Sequence, residues 1–255
     1  SISVSGELLS LSGERIWQEI QLSLSEDHPE VFFEVLRSCQ ALNVLWPELE
    51  VLWGVPNPAE WHPEICSGIH TMMVLKQAVR LTNNSDEAVT TRTAIRFAAL
   101  CHDLGKGLTQ SEKWPSHRGH EKAGLPLVEK IATELKIPNH YKQLALKVCE
   151  HHLHCHKAFQ LTASTLLTIF NQLDIWRKPE EFEAFIIACK ADFLGRLGFE
   201  NKPYPQEQYL KSAMAAASNV SAKMFVDQGL KGIEIKEALA AARLNAIQGV
   251  KNQYE

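Results

Sequence analysis

Apolar positions along this chain recur at three- and four-residue spacing, and the alternation expected of strands is scarce, so nearly every segment predicts a helix. The first is "LSGERIWQEIQLSL", with Ser12 placed as its N-cap. The second is "DHPEVFFEVLRSCQALNVL", where Pro29 suits the first turn. The stretch "WPELEVLWGVPNPAEWHPE" then carries Pro47, Pro56, Pro58 and Pro63 and predicts a structured crossover instead of a helix. Further helices are expected near 67–81, 87–104, 119–135, 138–153, 162–175 and 179–195. A loop around "GFENKPYPQE" precedes a helical stretch at 206–226 and a last helix, "GIEIKEALAAARLNAIQ". The expected architecture is all-α: a helical neck (1–55), a central helical bundle (56–200) and a helical tail (201–255).

Bulk composition narrows the class. With 255 residues, 45% hydrophobic and 22% charged, the chain suits one large globular domain or two small ones. A formal net charge of −4 argues against the uniformly basic surface of a non-specific nucleic-acid binder and leaves a local basic patch open. The six cysteines form no CxxC pair, so neither a zinc knuckle nor a disulfide framework is indicated, and a reducing compartment is expected. The N-terminus lacks the basic and apolar regions of a signal peptide, and no apolar run reaches the ~18 residues of a membrane span. The first residue is not methionine, which suggests a piece of a longer protein.

Against this background, several polar residues fall on apolar helix faces. In "TRTAIRFAALCHDLG", Ile95, Ala98 and Ala99 form a stripe that His102 and Asp103 continue at i+7 and i+8. Phe185, Ala188 and Cys189 lead to Asp192 in the same way, and Ala145, Val148 and Cys149 lead to His152. His120 heads a face continued by Gly124, Leu127 and Ile131, and His70 shares one with Met73 and Val74. Five helices thus aim imidazoles and carboxylates inward, an arrangement a core excludes unless something compensates it. Imidazole plus carboxylate without thiolate suits a divalent cation such as Mn²⁺, Fe²⁺, Co²⁺, Ni²⁺, Zn²⁺ or Mg²⁺. Two ions fit if Asp103 bridges them, with His120 and His152 completing the second site. His151 competes with His152 for that place. Gly105 and Gly107 end the helix after the pair and let a phosphate approach, beside Lys106.

The order His70, His102-Asp103, Asp192 on successive helices resembles the H…HD…D pattern of the HD phosphohydrolase superfamily. "GERIWQEI", "PEVFFEVLRSCQALNVLWPEL", "GVPNPAEWHPEICSGIHTMMVL", "CHDLGKGLT" and "LKGIEIKEAL" are similar, over essentially the whole chain, to the C-terminal part of bacterial CCA-adding tRNA nucleotidyltransferases that carry an HD domain. The resemblance implies a cytoplasmic enzyme of tRNA maturation and repair. Its HD region would hydrolyse 2′,3′-cyclic phosphates, 2′-nucleotides and other phosphate esters. It implies Ni²⁺ for phosphatase activity, with Mg²⁺ or Mn²⁺ as alternatives, and tRNA as partner, and it leaves a homodimer open. The family's polymerising head, with its Mg²⁺-binding GxGD and DxD carboxylates, has no counterpart in this sequence.

On this reading His70, His102, Asp103, Asp192, His120 and His152 are metal ligands, and His102, Asp103 and Lys106 carry catalysis. Lys106 and Arg118 are expected to contact phosphate, against the plainer reading of two solvated cations. His62 and Glu64 in "EWHPE" either orient the ligands from behind or fix the proline-rich crossover. The alternative function is a non-catalytic tRNA-binding or dimerisation module with a relic HD site. A cyclic-dinucleotide or guanosine-tetraphosphate hydrolase of the same superfamily is disfavoured by the flanks.

Overall fold

The computed structural model describes Leu8, residues 10–83 and residues 88–254. The predicted helix start at Glu87 and the first residues of the neck lie outside them. Every regular element among the described residues is helical, with one isolated bridge between Pro56 and Cys66, so the expected all-α class holds. The longer helices are α1 (Gly13–Ser25), α2 (Pro29–Ser38), α3 (Ser67–Thr82), α4 (Val89–Cys101), α5 (His120–Glu134), α6 (Asn139–His156), α7 (Ala163–Gln172), α8 (Pro179–Leu194), α9 (Pro205–Ser218) and α10 (Ile233–Tyr254). Ser12 caps α1 as predicted, accepting from the Arg15 N–H at 3.4 Å.

Several helices end away from the periodicity: α6 runs on to His156, α7 stops at Gln172 and α10 reaches Tyr254, and three further ends have a visible local cause. The second helix was expected to reach Leu45 but stops at Ser38. Gln40 takes φ 62°, the Ala41 N–H bonds the Leu36 carbonyl at 2.8 Å and the Gln40 N–H bonds that of Arg37 at 2.9 Å. This is a Schellman termination built on a residue other than glycine, so no glycine announces it. The stretch 206–226 divides into α9 and a short helix, Lys223–Asp227, where the Ser221 hydroxyl accepts from the Lys223 N–H and starts a new turn. The α4 helix ends at Cys101 instead of 104 and tightens into a 3₁₀ turn, Leu104–Leu108.

The chain forms two compact units, Ser1–His152 with Ala184–Lys202, and Leu153–Glu183 with Pro203–Glu255. In the first, Trp17, Phe97 and Tyr141 meet edge to face with centroids 4.8–6.3 Å apart and pin α1, α4 and α6 together. The Tyr141 hydroxyl lies 2.9 Å from Gln21 Nε2 and 2.7 Å from Thr93 Oγ1, so the buried phenol has partners on both neighbouring helices. In the second unit, α9 presents buried Ala213 and Ala217, α10 buries Ile247 and Val250, and Phe159 stacks on Tyr209.

Arg96 of α4 is fully buried in the first unit and has oxygen partners on all sides. It donates to the Leu24 and Glu26 carbonyls (2.7 and 3.0 Å), to Thr82 Oγ1 (3.1 Å) and to Asn83 Oδ1. It thereby satisfies the carbonyl end of α1 and ties it to the end of α3. Arg96→Met keeps much of the side-chain volume but strands those acceptors. It is expected to lower unfolding stability by about 3 kcal/mol in urea titration.

Candidate metal centre

The candidate centre lies in the first unit, and its side chains arrive one helix at a time. At the exit of α4, His102 turns back on its helix, and its Nδ1–H donates to the Ala99 carbonyl at 2.7 Å. That fixes the tautomer and leaves Nε2 with a lone pair facing Asp103 Oδ2 at 3.1 Å and Asp192 Oδ1 at 3.7 Å. The first turn of α5 treats His120 the same way: Nδ1 donates to the His117 carbonyl at 2.7 Å and Nε2 faces Asp103 Oδ1 at 3.0 Å. On α6, His152 Nδ1 lies 3.1 Å from both the Val148 and Cys149 carbonyls, and Nε2 lies 3.6 Å from Asp103 Oδ1. The two Nε2 atoms of His120 and His152 are only 3.3 Å apart. Nitrogens whose protons are committed elsewhere repel at that distance unless a positive charge lies between them.

On the other side of Asp103, α3 and α8 bring His70 Nε2 to 3.0 Å from Asp192 Oδ1. His70 Nδ1 leans on Glu64 Oε1 at 2.9 Å, which also takes His62 Nδ1 at 2.8 Å. The ligand atoms thus fall into two buried triads, His70/His102/Asp192 and Asp103/His120/His152, each with its atoms within 4.8 Å of one another. Asp103 faces both, Oδ2 toward His102 and Oδ1 toward His120 and His152. Close packing of backbone holds them at this distance. A Cβ on Gly105 would lie 2.0 Å from the His120 carbonyl oxygen, and one on Gly195 would lie 2.8 Å from the Val74 backbone.

These residues fit a divalent cation. His102 Nε2 and Asp103 Oδ1 are buried without a hydrogen bond of proper geometry, although each has oppositely natured atoms nearby. Lone pairs aimed at a shared point, and not at donors, describe ligands. In the metal-free protein a proton replaces the ion in part. Burial alone would lower the His102 pKa, but Asp103 and Asp192 outweigh it and raise it from 6.5 to about 9. Burial likewise opposes ionisation of Asp103, but His102 and Lys106 beside it hold its carboxyl well below the usual range. Burial keeps His152 neutral, well below 6.5, and presses His62 down to about 4.

The signs give a pH dependence for the chelated protein. The raised pKa of His102 contributes stability that is complete below 6.5 and is lost as pH climbs through 9. The lowered pKa values of His152 and His62 contribute stability that is complete above 6.5 and fades as pH falls. Thermal unfolding in chelator is therefore expected to peak near pH 6.5 and decline on both sides. Saturating divalent metal is expected to flatten the alkaline decline, since the ion displaces the His102 proton.

Of the predicted residues, His70, His102, Asp103, Asp192, His120, His152, His62 and Glu64 come together here. His152, not His151, faces Asp103; His151 Nε2 lies 3.6 Å from Glu150 Oε2. Lys106 is buried, its ammonium donating to Asp103 Oδ2 at 2.6 Å and to Asn57 Oδ1 at 2.9 Å. Its ammonium thus bridges the Asp103 carboxylate and the Asn57 side chain. Arg118 is exposed on the turn before α5. Two neighbours escaped the sequence reading. Asn57 accepts from Lys106 and from Ser67 Oγ at 3.0 Å, and His117 Nε2 donates to the Pro56 carbonyl at 2.7 Å. Asn57 sits in the aperiodic crossover, where no stripe marks it; His117, in "HRGH", could have been noticed three residues before His120.

Comparison with known proteins finds two families along the chain. The family described as "HD domain" matches residues 68–189, and the family described as "Probable RNA and SrmB-binding site of polymerase A" matches residues 3–52. A curated relative from Pseudoalteromonas atlantica, named "Multifunctional CCA protein", is 50% identical over 247 residues. The alignment takes in 97% of this chain and 59% of that protein.

Proposed function

The chain is a relative of the multifunctional CCA protein that fits its C-terminal region and contains an HD domain, and from that premise we propose that it is a metal-dependent phosphohydrolase. The proposed substrates are 2′,3′-cyclic phosphates, 2′-nucleotides and other phosphate esters. The supporting observation is the buried carboxylate of Asp103, whose Oδ2 faces His102 and whose Oδ1 faces His120 and His152. A divalent cation bound there would supply Lewis-acid charge and a water of lowered pKa.

The protein's own groups prepare the site. His102, His120 and His152 present Nε2 lone pairs, Asp103 and Asp192 add negative charge, and Lys106 steadies Asp103. Glu64 stays ionised although burial opposes it, because His62 and His70 bond it, and so it orients His70 from behind. The neck (1–55) and tail (201–255) would flank this body and hold tRNA in the longer parent, where CCA addition with Mg²⁺ belongs to the head. No helix among the described residues is long and apolar enough to cross a membrane, and the proposed setting is the cytoplasm.

Hydrolysis of a cyclic nucleotide and of p-nitrophenyl phosphate is expected to require added metal, with Ni²⁺ preferred over Mn²⁺ and Mg²⁺, and to cease on chelation. Activity indifferent to chelator would overturn the proposal. A second reading, an RNA-binding or dimerisation module with a relic site, draws on the match over residues 3–52. The same assay decides it: no turnover with any metal, alongside retained tRNA binding, selects the module. Sedimentation of the chain reads the dimer directly.

A further inference from the structure

Past the end of α8 the chain runs through residues 195–202 beside the His62–Glu64–His70 edge of the centre. The loop is tied down at several points. The Leu197 N–H donates to Glu64 Oε2 at 3.2 Å and the Gly198 N–H to Glu200 Oε1 at 3.0 Å. Arg80 donates to the Glu200 carbonyl at 2.8 Å and to Asn201 Oδ1 at 3.1 Å. Fixed in this loop, Arg196 sits one helical turn beyond Asp192, with its guanidinium carbon 5.5 Å from the Phe193 ring and 5.9 Å from the Phe199 ring.

Arg196 is unusual in its partners. Among the described residues no carboxylate pairs with it, and its buried Nε–H has no acceptor. An arginine half-buried between aromatic rings keeps its fork pre-organised. One left without a carboxylate partner keeps its donors for an anion. Leu197, the chain neighbour of Arg196, reaches Glu64, which takes both His62 and His70. The other cations do not fill this role. Lys106 is committed to Asp103 and Asn57, and Arg118 is exposed. A second cation, Lys202, lies 3.4 Å from the centroid of the Phe199 ring, and Glu200, the loop's own carboxylate, is turned to the Gly198 N–H.

We infer that Arg196 is the substrate-binding residue that takes the non-bridging oxygens of a phosphate ester on the His70–Asp192 side of the centre. This rests on the phosphohydrolase reading for its catalytic meaning, but the binding itself can be tested separately. Inorganic phosphate titrated calorimetrically into the metal-loaded chain is expected to bind the wild type. Arg196→Ala should bind it roughly 10- to 100-fold more weakly, with unchanged metal content and circular dichroism, and Arg196→Lys should fall between. In the hydrolysis assay the same substitution should raise KM more than it lowers kcat. Equal phosphate affinity in wild type and Arg196→Ala, or no phosphate binding by the wild type, overturns the inference. Phosphate binding that depends on Arg196 without turnover by any metal leaves it standing and removes the hydrolase reading instead.

Discussion

Replacing Asp103 by asparagine should lower metal-dependent phosphate ester hydrolysis by at least about 100-fold and strip bound metal, while the helical circular dichroism stays. Direct ligands exceed the 10- to 100-fold range typical of the groups behind them, and Asp103 touches both triads of the centre. It meets His102 and Lys106 through Oδ2 and His120 and His152 through Oδ1. An amide presents one oxygen and one donor, so it can serve one triad and must oppose the other. The substitution also leaves the Lys106 ammonium buried beside a neutral group, which predicts some loss of stability. Asp192→Asn, which lacks that complication, provides the control. Metal analysis beside the assay reads the result: full metal content with full turnover in both variants would remove these carboxylates from the chemistry.

The second large effect is expected from the smallest change, Gly105→Ala. The added methyl would meet the His120 carbonyl oxygen at 2.0 Å and the Gly124 nitrogen at 2.6 Å, both backbone atoms that no rotamer change can move. The start of α5 must then retreat from the 3₁₀ turn after Asp103, and it takes His120 with it. Overpacking of this kind costs about 1–3 kcal/mol of stability, read by urea titration. The catalytic consequence is larger, because a displacement of about 1 Å in such a site costs on the order of 100-fold in rate. A crystal structure of the variant with His120 Nε2 still at its original distance from Asp103 would refute the argument.

The parts of the centre that lie on helices were legible as sequence, because period 3.6 converts spacing into direction. His102, Asp103, Asp192 and His152 each continue an apolar stripe and His120 heads one, and the structure buries all five in two neighbouring groups. Legibility stopped where periodicity stops. Asn57 lies between two prolines, and Arg196 follows the last turn of α8, so neither has a face to be assigned to. Lys106 was expected beside phosphate; its burial against Asp103 and Asn57 depends on the fold and has no mark in the local sequence. The end of α2 was invisible for a related reason: Gln40 adopts a conformation that sequence associates with glycine or asparagine.

The way the imidazoles are anchored bears on how this centre can evolve. His102, His120 and His152 each commit Nδ1 to a main-chain carbonyl three or four residues back, a group present whatever the side chain there. Point mutation cannot delete those anchors. Only His70 relies on a replaceable carboxylate, Glu64. Among these four rings, that of His70 is therefore the one whose anchor a single substitution, at Glu64 upstream of α3, would remove, while the other three keep theirs.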